Sequence, residues 1–280
     1  MAKVETSKHA KAPLVAGPSR VSVSYGLFSV LPFDSSVDPH WQLGIQWEEA
    51  DENKLLVSGL AACEPDAQVP GFPQTDKFEG GVDTDYAPPF TLSGTFECSP
   101  FGHAEGYAYE RAQQRLLLLE EREAERVLWN GTDWAEPTED NTLNGLSDAE
   151  VLASMPMTNV AAAVARLEQH IANTYGTLGV LHMNRETATL LMEKLKLDSR
   201  GGRLFTPLGT PVVAGQGYGG GAIVATGSMF GLRSEVFSGL GQANILDTEN
   251  NQLRAEASRT YAVGYDTAPL AQITLTETQN

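Results

Sequence analysis

The amino-acid sequence predicts an α+β fold, with the helices collected in the middle of the chain and strands at both ends. Three observations support this prediction. Apolar and polar residues alternate with period two before residue 100, a proline-free segment with helical spacing follows, and β-branched runs separated by glycine fill the last third. Since 41% of the 280 residues are hydrophobic and 20% are charged, the chain can bury a sizeable core.

The charge of the chain is strongly negative and unevenly distributed. The formal net charge is -17, which argues against a protein that binds phosphate backbones over a broad face, because such binding needs clustered Lys and Arg. Residues 1–20 nevertheless hold four cations and one acid, whereas residues 34–86 hold twelve acids and two cations. A basic arm before an acidic body indicates contact between copies or with a polyanion, although a solvated tail would show the same pattern.

The first hundred residues predict an extended arm followed by a projecting loop. Residues 1–40 contain four prolines and only short apolar runs, which is typical of an arm that is ordered only against another surface. Two segments then alternate with period two, "WQLGIQWEE" from Trp41 and "PFTLSGTFECSP" from Pro89, and each predicts a half-buried strand. The acidic, Pro- and Gly-rich segment between them predicts that the two strands form a hairpin-like loop of the kind that usually carries function.

Residues 104–131 predict a long helix that is buried along a narrow stripe. The segment lacks proline and ends in Asn130-Gly131, which is a helix stop. The stripe at helical spacing consists of Ala112, Leu116, Leu119, Glu123 and Val127. Because Arg and Glu cover the other faces, we expect the helix to lie across a sheet or against a neighbouring copy; an ordinary surface helix is the alternative.

The next hundred residues predict two capped helices among buried strands. Thr158 is predicted to cap a helix that ends at Gly176, and Asn184 to cap the following one. Strands are predicted at "LGVLHMN", "TPVVAG", "AIVATG" and "GLRSEVF", with two more in "SRTYAVGYDTAPLAQITLT". The uncharged stretch 204–232 is long enough to cross a bilayer, but its eight glycines and two prolines favour strands and loops.

The glycine-rich stretch "VVAGQGYGGGAIVATG" contains the spacing of a dinucleotide-binding fingerprint. Gly215, Gly217 and Gly220 match G-x-G-x-x-G after a predicted strand, and Glu235 follows near the position of a ribose-binding acid. The fingerprint needs its third glycine inside a starting helix, however, and three consecutive glycines before a β-branched run favour a turn between strands. A dinucleotide-binding enzyme that uses these three glycines stays open as an alternative.

The remaining candidates for chemistry are weak, and we predict a protein that is not an enzyme and has no catalytic, cofactor or metal site. His182 is interpreted as a core histidine, and Ser228 in "GSMFG" does not fit a nucleophile elbow. Four residues could in principle build a zinc site, although their spacings match no standard pattern: His40, Cys63, Cys98 and His103. Two cysteines are too few for a disulfide framework and no signal peptide opens the chain, so we expect a cytosolic origin.

The order of these elements resembles the Hong Kong 97 (HK97) fold of tailed-phage major capsid proteins. "PFTLSGTFECSPFG" followed by "RAQQRLLLLEEREAERVLWNGT" is similar to the passage from loop to spine helix in capsid proteins of actinobacteriophages. "GTLGVLHMNRETATLL", "TPLGTPVVAGQGY" and "SRTYAVGYDTAPLAQITLT" resemble the axial domain and closing strands of those proteins. The resemblance covers most of residues 41–275.

The resemblance implies five segments with separate roles in a shell. They are the N-terminal arm 1–40, the extended loop 41–100, the spine helix and start of the peripheral domain 101–150, the axial domain 151–230, and the peripheral return strands with the closing axial strand 231–280. The turn from Gly215 to Gly221 would then be a candidate for one of the axial loops that meet at five- and six-fold axes.

The resemblance also implies a structural protein of the virion. The chain would assemble as hexamers and pentamers into an icosahedral head around double-stranded phage DNA, without sequence-specific DNA binding and without a membrane. The implied partners are other copies, a separate scaffolding protein, a portal and decoration proteins, and the implied place of assembly is the host cytoplasm. An encapsulin-like compartment that loads cargo enzymes is the alternative with the same fold.

One lysine raises the question of covalent cross-linking. Some capsids of the HK97 fold join a Lys to an Asn through an isopeptide bond, and Lys77 lies in the projecting loop where such a lysine belongs. Because no motif identifies its Asn and Glu partners, a solvated side chain is the favoured interpretation.

Overall fold

The computed structural model describes residues 23–34, 39–48, 84–99, 106–131, 145–153, 156–238, 245–247 and 252–276. Three positions singled out in the sequence, Cys63, Lys77 and His103, lie outside these ranges, as do most of the predicted arm and the segment 49–83. The described residues form two main sheets, a two-stranded antiparallel sheet that we call the hairpin, and four α-helices.

Helices and strands are interspersed along the chain, as in other α+β proteins. The helices are α1 (Leu27–Val30), α2 (Tyr107–Asn130), α3 (Val160–Thr174) and α4 (Arg185–Leu195). The strands are β1 (Phe33–Asp34), β2 (Ile45–Glu48), β3 (Thr84–Ala87), β4 (Phe90–Cys98), β5 (Val180–Asn184), β6 (Asp198–Arg200), β7 (Arg203–Phe205), β8 (Pro211–Gly215), β9 (Ala222–Thr226), β10 (Met229–Arg233), β11 (Ile245–Asp247), β12 (Gln252–Tyr265) and β13 (Ala271–Thr274). Short 3-10 helices span Pro39–Leu43 and Leu146–Asp148.

A five-stranded sheet is built around the long strand β12. Along one side of β12 lies β4, antiparallel from the pair Tyr261–Phe90 to the pair Leu253–Cys98. Along its other side β11 and β10 pair with successive parts of the strand, and β1 adds to β10 in parallel. The hairpin β2–β3 packs on this sheet through an edge-to-face contact of Trp47 with Phe230, whose ring centroids are 5.2 Å apart.

Helix α2 crosses the five-stranded sheet at close range because small residues line the contact. Ala108 and Ala112 of the helix share a buried cluster with Ala255 and Ala257 of β12. A Cβ atom added at Gly94 of β4 would lie only 2.5 Å from the carbonyl oxygen of Ala112. The strand and the helix backbone are therefore nearly in contact, which the absence of a side chain at this position permits.

A six-stranded sheet with the order β13-β9-β5-β8-β7-β6 forms the second layer. β5 and β8 are parallel, and the other neighbouring strands are antiparallel. Helices α3 and α4 cover one face of this sheet, with Leu167 and Leu191 completely buried. The stretch 204–232 forms β7 to β10 as strands and turns, and no helix in the described ranges is long and apolar enough to cross a membrane.

The C-terminal half of α2 lies against the opposite face of the six-stranded sheet. One buried cluster joins residues of the helix, of this sheet and of the five-stranded sheet: Ala124, Leu128, Trp129, Val180, Val213, Val224, Tyr261 and Val263. A single helix therefore contributes to the cores that support both sheets, so its position relative to each sheet decides how the sheets lie relative to one another.

Several local predictions are confirmed. Phe90 and Gly94 of β4 are buried while Thr91 and Ser93 between them are exposed, as the period-two pattern indicates. Helix α2 ends at Asn130, and Gly131 follows with φ 75°. Asn184 caps α4 by accepting a hydrogen bond of 2.9 Å from the backbone N–H of Thr187.

The predictions for residues 41–48 and for the hairpin are wrong in part. Residues 39–43 form a 3-10 helix and the strand begins only at Ile45, because Gly44 takes φ 121°, a left-handed conformation that interrupts an extended strand. The partner of β2 is β3 rather than β4, which pairs with β12 instead.

The predicted buried stripe of α2 is also wrong in its second half. Ala112 and Leu116 are buried as expected, but the stripe continues through Glu120, Ala124 and Leu128, one residue away from the predicted positions. An apolar pattern does not identify a buried glutamate. The pattern therefore predicts burial of Leu119 and Val127, which are only half-buried. Likewise Asn159, not Thr158, caps α3.

We predict that Gly94→Ala destabilises the protein by about 1–3 kcal/mol, because the new methyl group meets the α2 backbone rather than a movable side chain. Ser93→Ala on the exposed face of the same strand is the matched control and should shift stability by less than about 0.5 kcal/mol. Chemical denaturation of both variants in the same assembly state measures the difference, and equal stability of the two would contradict this packing argument.

Candidate functional site

The glycine turn (residues 216–221) joins β8 to β9 across the carboxyl end of β5, which lies between them in the sheet. A strand follows the turn, not a helix, as the three consecutive glycines predict. The third glycine of the fingerprint, Gly220, therefore has no helix N-terminus to present to a pyrophosphate.

The backbone N–H groups of the glycine turn bind an anion that belongs to the protein itself. Gln216 N and Gly217 N donate to Oε2 of Glu125 on α2, at 2.6 Å and 2.9 Å. Glu125 is completely buried. Successive backbone N–H groups form a concave anion site of the kind that nucleotide-binding loops use, and here a carboxylate fills it.

Helix α2 lies directly against the turn at two of its glycines. A Cβ atom at Gly217 would lie 2.1 Å from the carbonyl oxygen of Arg122, and one at Gly219 would lie 2.6 Å from Nε1 of Trp129. Helix α2 therefore lies against the turn at Gly217 and Gly219, while Gln216 and Gly220 stay exposed. That this turn meets other subunits at a symmetry axis stays a prediction.

A second segment reaches the same carboxylate from the N-terminal side. Leu27 N donates to Oε1 of Glu125 at 2.9 Å, and Phe28 N donates to Oε1 of Glu121 at 2.9 Å. We call residues 23–34 the strap, because they contact both layers of the protein. The strap binds the six-stranded sheet where Ala214 N donates to the carbonyl oxygen of Tyr25, and it joins the five-stranded sheet as β1.

A third glutamate on α2 binds the five-stranded sheet. Oε2 of Glu120 accepts hydrogen bonds from Nη1 of Arg259 at 2.8 Å and from Oη of Tyr261 at 2.6 Å, and all three groups are largely buried. Three glutamates of one helix, Glu120, Glu121 and Glu125, thus bind the five-stranded sheet, the strap and the glycine turn. Sequence reasoning missed them, although acids at positions that continue an apolar stripe are a usable signal for buried, partnered carboxylates.

Burial sets the protonation behaviour of these carboxyl groups. Desolvation raises the pKa of Glu125 above its usual value, and the backbone N–H groups of Gly217, Leu27 and Gln216 oppose that increase. The pKa of Glu121 is raised for the same reason, with the N–H of Phe28 opposing it. The N–H donors are therefore what makes a buried charge tolerable at this position.

His182 is the core histidine that the sequence indicates. It is completely buried in β5, with Nδ1 at 2.9 Å from Oη of Tyr218 and Nε2 at 3.0 Å from Oγ1 of Thr226. Desolvation lowers its pKa to about 3, so the imidazole is neutral at physiological pH. Tyr218 in turn packs on Trp129 of α2 with ring centroids 5.0 Å apart, which links the turn to the helix a second time.

Among the described residues, the other candidates for chemistry do not assemble into a site; Cys63 and His103 lie outside these residues. Ser228 and Glu235 are exposed and lie outside the glycine turn. Cys98 is a half-buried free thiol at the end of β4, and His40 lies exposed in the 3-10 helix. Within the described ranges, no three His, Cys, Asp or Glu side chains lie close enough together to hold a metal ion.

An apolar groove of about 430 Å³ lies between α3 and the turn at residues 206–210. Leu178 and Leu208 line the groove and are exposed over 56% and 75% of their surface. Its charged lining residue, Glu168, already accepts hydrogen bonds from the hydroxyl groups of Thr206 and Thr210. The groove therefore offers apolar contact surface rather than a polar site.

No protein-family model matches the sequence, and no curated protein resembles it in sequence. Solved structures, in contrast, are similar over nearly the whole chain. The capsid of a native GTA particle aligns with a TM-score of 0.57 at 12% identity and covers 99% of this chain and 99% of that chain.

Two further solved structures have the same arrangement. A chain from Mycobacterium phage Che8 aligns with a TM-score of 0.51 at 13% identity over 94% of this chain and 97% of that chain. A virus-like particle from Pyrococcus furiosus aligns with a TM-score of 0.50 at 13% identity over 90% and 92% of the two chains. The chain has the α+β HK97-like capsid fold, which confirms the fold that the sequence resemblance implied.

We predict that His182 makes the protein less stable in mild acid. The unfolded chain binds a proton at His182 below pH 6.5, whereas the folded chain does not until about pH 3, so the free energy of unfolding falls as the pH decreases through this window. From pH 8 to pH 5 the loss is roughly 2 kcal/mol. The raised pKa values of Glu121 and Glu125 act in the opposite direction, so the test compares variants rather than one protein.

In urea denaturation at pH 8 and pH 5, His182→Gln should lose about 2 kcal/mol less than the unmodified protein over this interval. An equal loss in His182→Gln and in the unmodified protein would mean that His182 is not the group that titrates.

Proposed function

We propose that this chain is the major capsid protein of a tailed phage, a structural protein that assembles as hexamers and pentamers into an icosahedral head around double-stranded DNA. The observation that carries the proposal is the extent of the structural similarity, which covers 99% of this chain and of the GTA capsid chain. Almost none of the sequence is left outside the shared fold. The net charge of -17 fits enclosure of DNA without tight binding to it.

Exposed apolar side chains support a protein that buries surface against copies of itself. Leu117 and Leu118 are adjacent on the outer face of α2 and are exposed over 49% and 45% of their surface. Leu178 and Leu208 flank the groove beside α3. These patches lie on different elements, as expected of a subunit whose contacts are heterologous and close into rings.

We assign the elements to the segments of such a subunit as follows. Helix α2 is the spine, the sheet around β12 is the peripheral domain, and the six-stranded sheet with α3 and α4 is the axial domain. Residues 1–40 are the N-terminal arm and residues 41–100 the extended loop, and each contributes one strand, β1 and β4, to the sheet around β12. We also propose a separate scaffolding protein, a portal and decoration proteins as partners, and assembly in the host cytoplasm.

Two alternatives make different predictions. An encapsulin-like compartment has the same fold and would contain cargo enzymes instead of DNA. A dinucleotide-binding enzyme would need free N–H groups at Gly215, Gly217 and Gly220, and the N–H of Gly217 is already bound to the carboxylate of Glu125. The geometry therefore favours a structural protein over an enzyme.

Electron microscopy of the purified chain, expressed alone and then with its natural neighbouring genes, tests the proposal. We expect closed shells, or rings of five and six subunits, and DNA inside shells formed with the neighbours. Shells that contain an enzyme and no DNA would favour the compartment instead.

A monodisperse monomer or dimer under both conditions would contradict a shell subunit. A thermal-shift screen with nicotinamide and flavin dinucleotides then tests the enzyme alternative, because a ligand that binds only the folded chain raises its melting temperature. We expect no shift, since the N–H groups of Gln216 and Gly217 are occupied.

A further inference from the structure

The carboxylate of Glu125 is shared between two segments that are far apart in sequence. Its Oε1 accepts from Leu27 of the strap, and its Oε2 accepts from Gln216 and Gly217 of the glycine turn. Neither oxygen reaches water, because the residue is completely buried. Each segment therefore depends on the same charge being present and correctly oriented.

We propose that Glu125 couples the docking of the strap to the docking of the glycine turn on α2, so that release of either segment loosens the other. A buried carboxylate that loses a donor has to protonate, rotate towards water or remain partly unsatisfied, and each of these weakens its bonds to the remaining donors. The coupling acts within one subunit and does not depend on shell formation.

A second side chain joins the strap to the strand that precedes the glycine turn. Nη1 of Arg185, at the start of α4, donates to the carbonyl oxygen of Ser24 in the strap at 3.0 Å and lies 3.4 Å from that of Ala214 in β8. Gly26 lacks a side chain where a Cβ atom would lie 2.4 Å from Oε1 of Glu121 and 2.8 Å from Oε1 of Glu125. The backbone of the strap therefore contacts the side chains of both glutamates directly, and the glycine at position 26 permits this approach.

Because of the position of the strap, the coupling also affects how the two layers of the subunit are held together. The strap follows directly on residues 1–22, and the glycine turn anchors the six-stranded sheet to α2. A partner that pulls or holds residues 1–22 would act on the strap and, through Glu125, on how firmly that sheet sits on the helix. The N-terminal residues would in this way influence the angle between the two layers.

Hydrogen–deuterium exchange on Glu125→Gln and Glu121→Gln tests the first part of the proposal. A glutamine at 125 has one acceptor oxygen and an NH₂ group, so it can serve Leu27 or the turn but not both. We expect amide exchange in residues 23–31 and 216–217 to rise by about 10- to 100-fold in this variant. Glu121→Gln is the matched control, because one amide oxygen still accepts the single bond from Phe28, and its exchange at 216–217 should stay within about twofold of the unmodified protein.

A double-variant cycle shows whether the carboxylate of Glu125 or the packing of side chains transmits the effect of a loosened strap. Leu31 anchors the strap near Gly231 of β10 and is almost fully buried, so Leu31→Ala should loosen the strap without touching Glu125. We expect Leu31→Ala to raise exchange at Gln216 and Gly217 by at least about fivefold in the unmodified background and by less than about twofold in the Glu125→Gln background.

Either of two results would overturn the coupling: no change at Gln216 and Gly217 in Leu31→Ala, or an equal change in both backgrounds, which would show that packing transmits the effect. If Leu31→Ala does not fold, as judged by circular dichroism, the smaller truncation Leu31→Val takes its place in the same cycle. Electron microscopy of the same samples reports shell formation separately, so this inference and the proposed function can fail independently.

Discussion

The burial of glutamates on one face of α2 is the constraint on which the arrangement of the two sheets depends. A charged group inside a protein is tolerated only when donors surround it, and the donors for these glutamates come from three parts of the chain: the strap, the glycine turn and β12. Glu125 takes backbone N–H groups from the strap and the glycine turn, and Glu120 takes Arg259 and Tyr261 of β12. The helix can satisfy these groups only when both layers are correctly placed on it.

Small residues make this arrangement possible. Gly94 and Gly217 let a strand and a turn approach the helix backbone from two sides, at distances that any side chain would prevent. Trp129, Tyr218 and His182 then extend the contact from the helix into the six-stranded sheet. A helix packed so closely on both sides is part of two cores, so it fixes how the two layers lie relative to each other.

The glycine spacing correctly indicates a turn whose N–H groups bind an anion, but it does not identify which anion is bound. The spacing of Gly215, Gly217 and Gly220 is typical of a loop whose N–H groups bind phosphate, and N–H groups of the turn do bind an anion. The anion is a side chain of the same protein, 91 residues away from Gln216. Function follows from what occupies such a turn, and the occupant cannot be identified from the glycines.

Local sequence patterns were sufficient for most elements and for the fold class. The alternation from Phe90 to Cys98, the stop at Gly131 and the cap at Asn184 depend on neighbouring residues only, and the structure confirms all three. The hairpin partner of β2 was predicted wrongly, because strand pairing depends on which edges meet after folding. No residue near Ile45 encodes that choice.

The amino-acid sequence alone therefore decides that this protein is an α+β protein with a long helix, capped shorter helices and a turn that is rich in N–H donors. Only the tertiary structure decides that Glu120 and Glu125 face inward, that the strap and the glycine turn share one carboxylate, and that β4 pairs with β12. The physical reason is that burial of a charge is favourable only when distant segments supply its donors together. That condition belongs to the assembled fold and not to any short stretch of the chain.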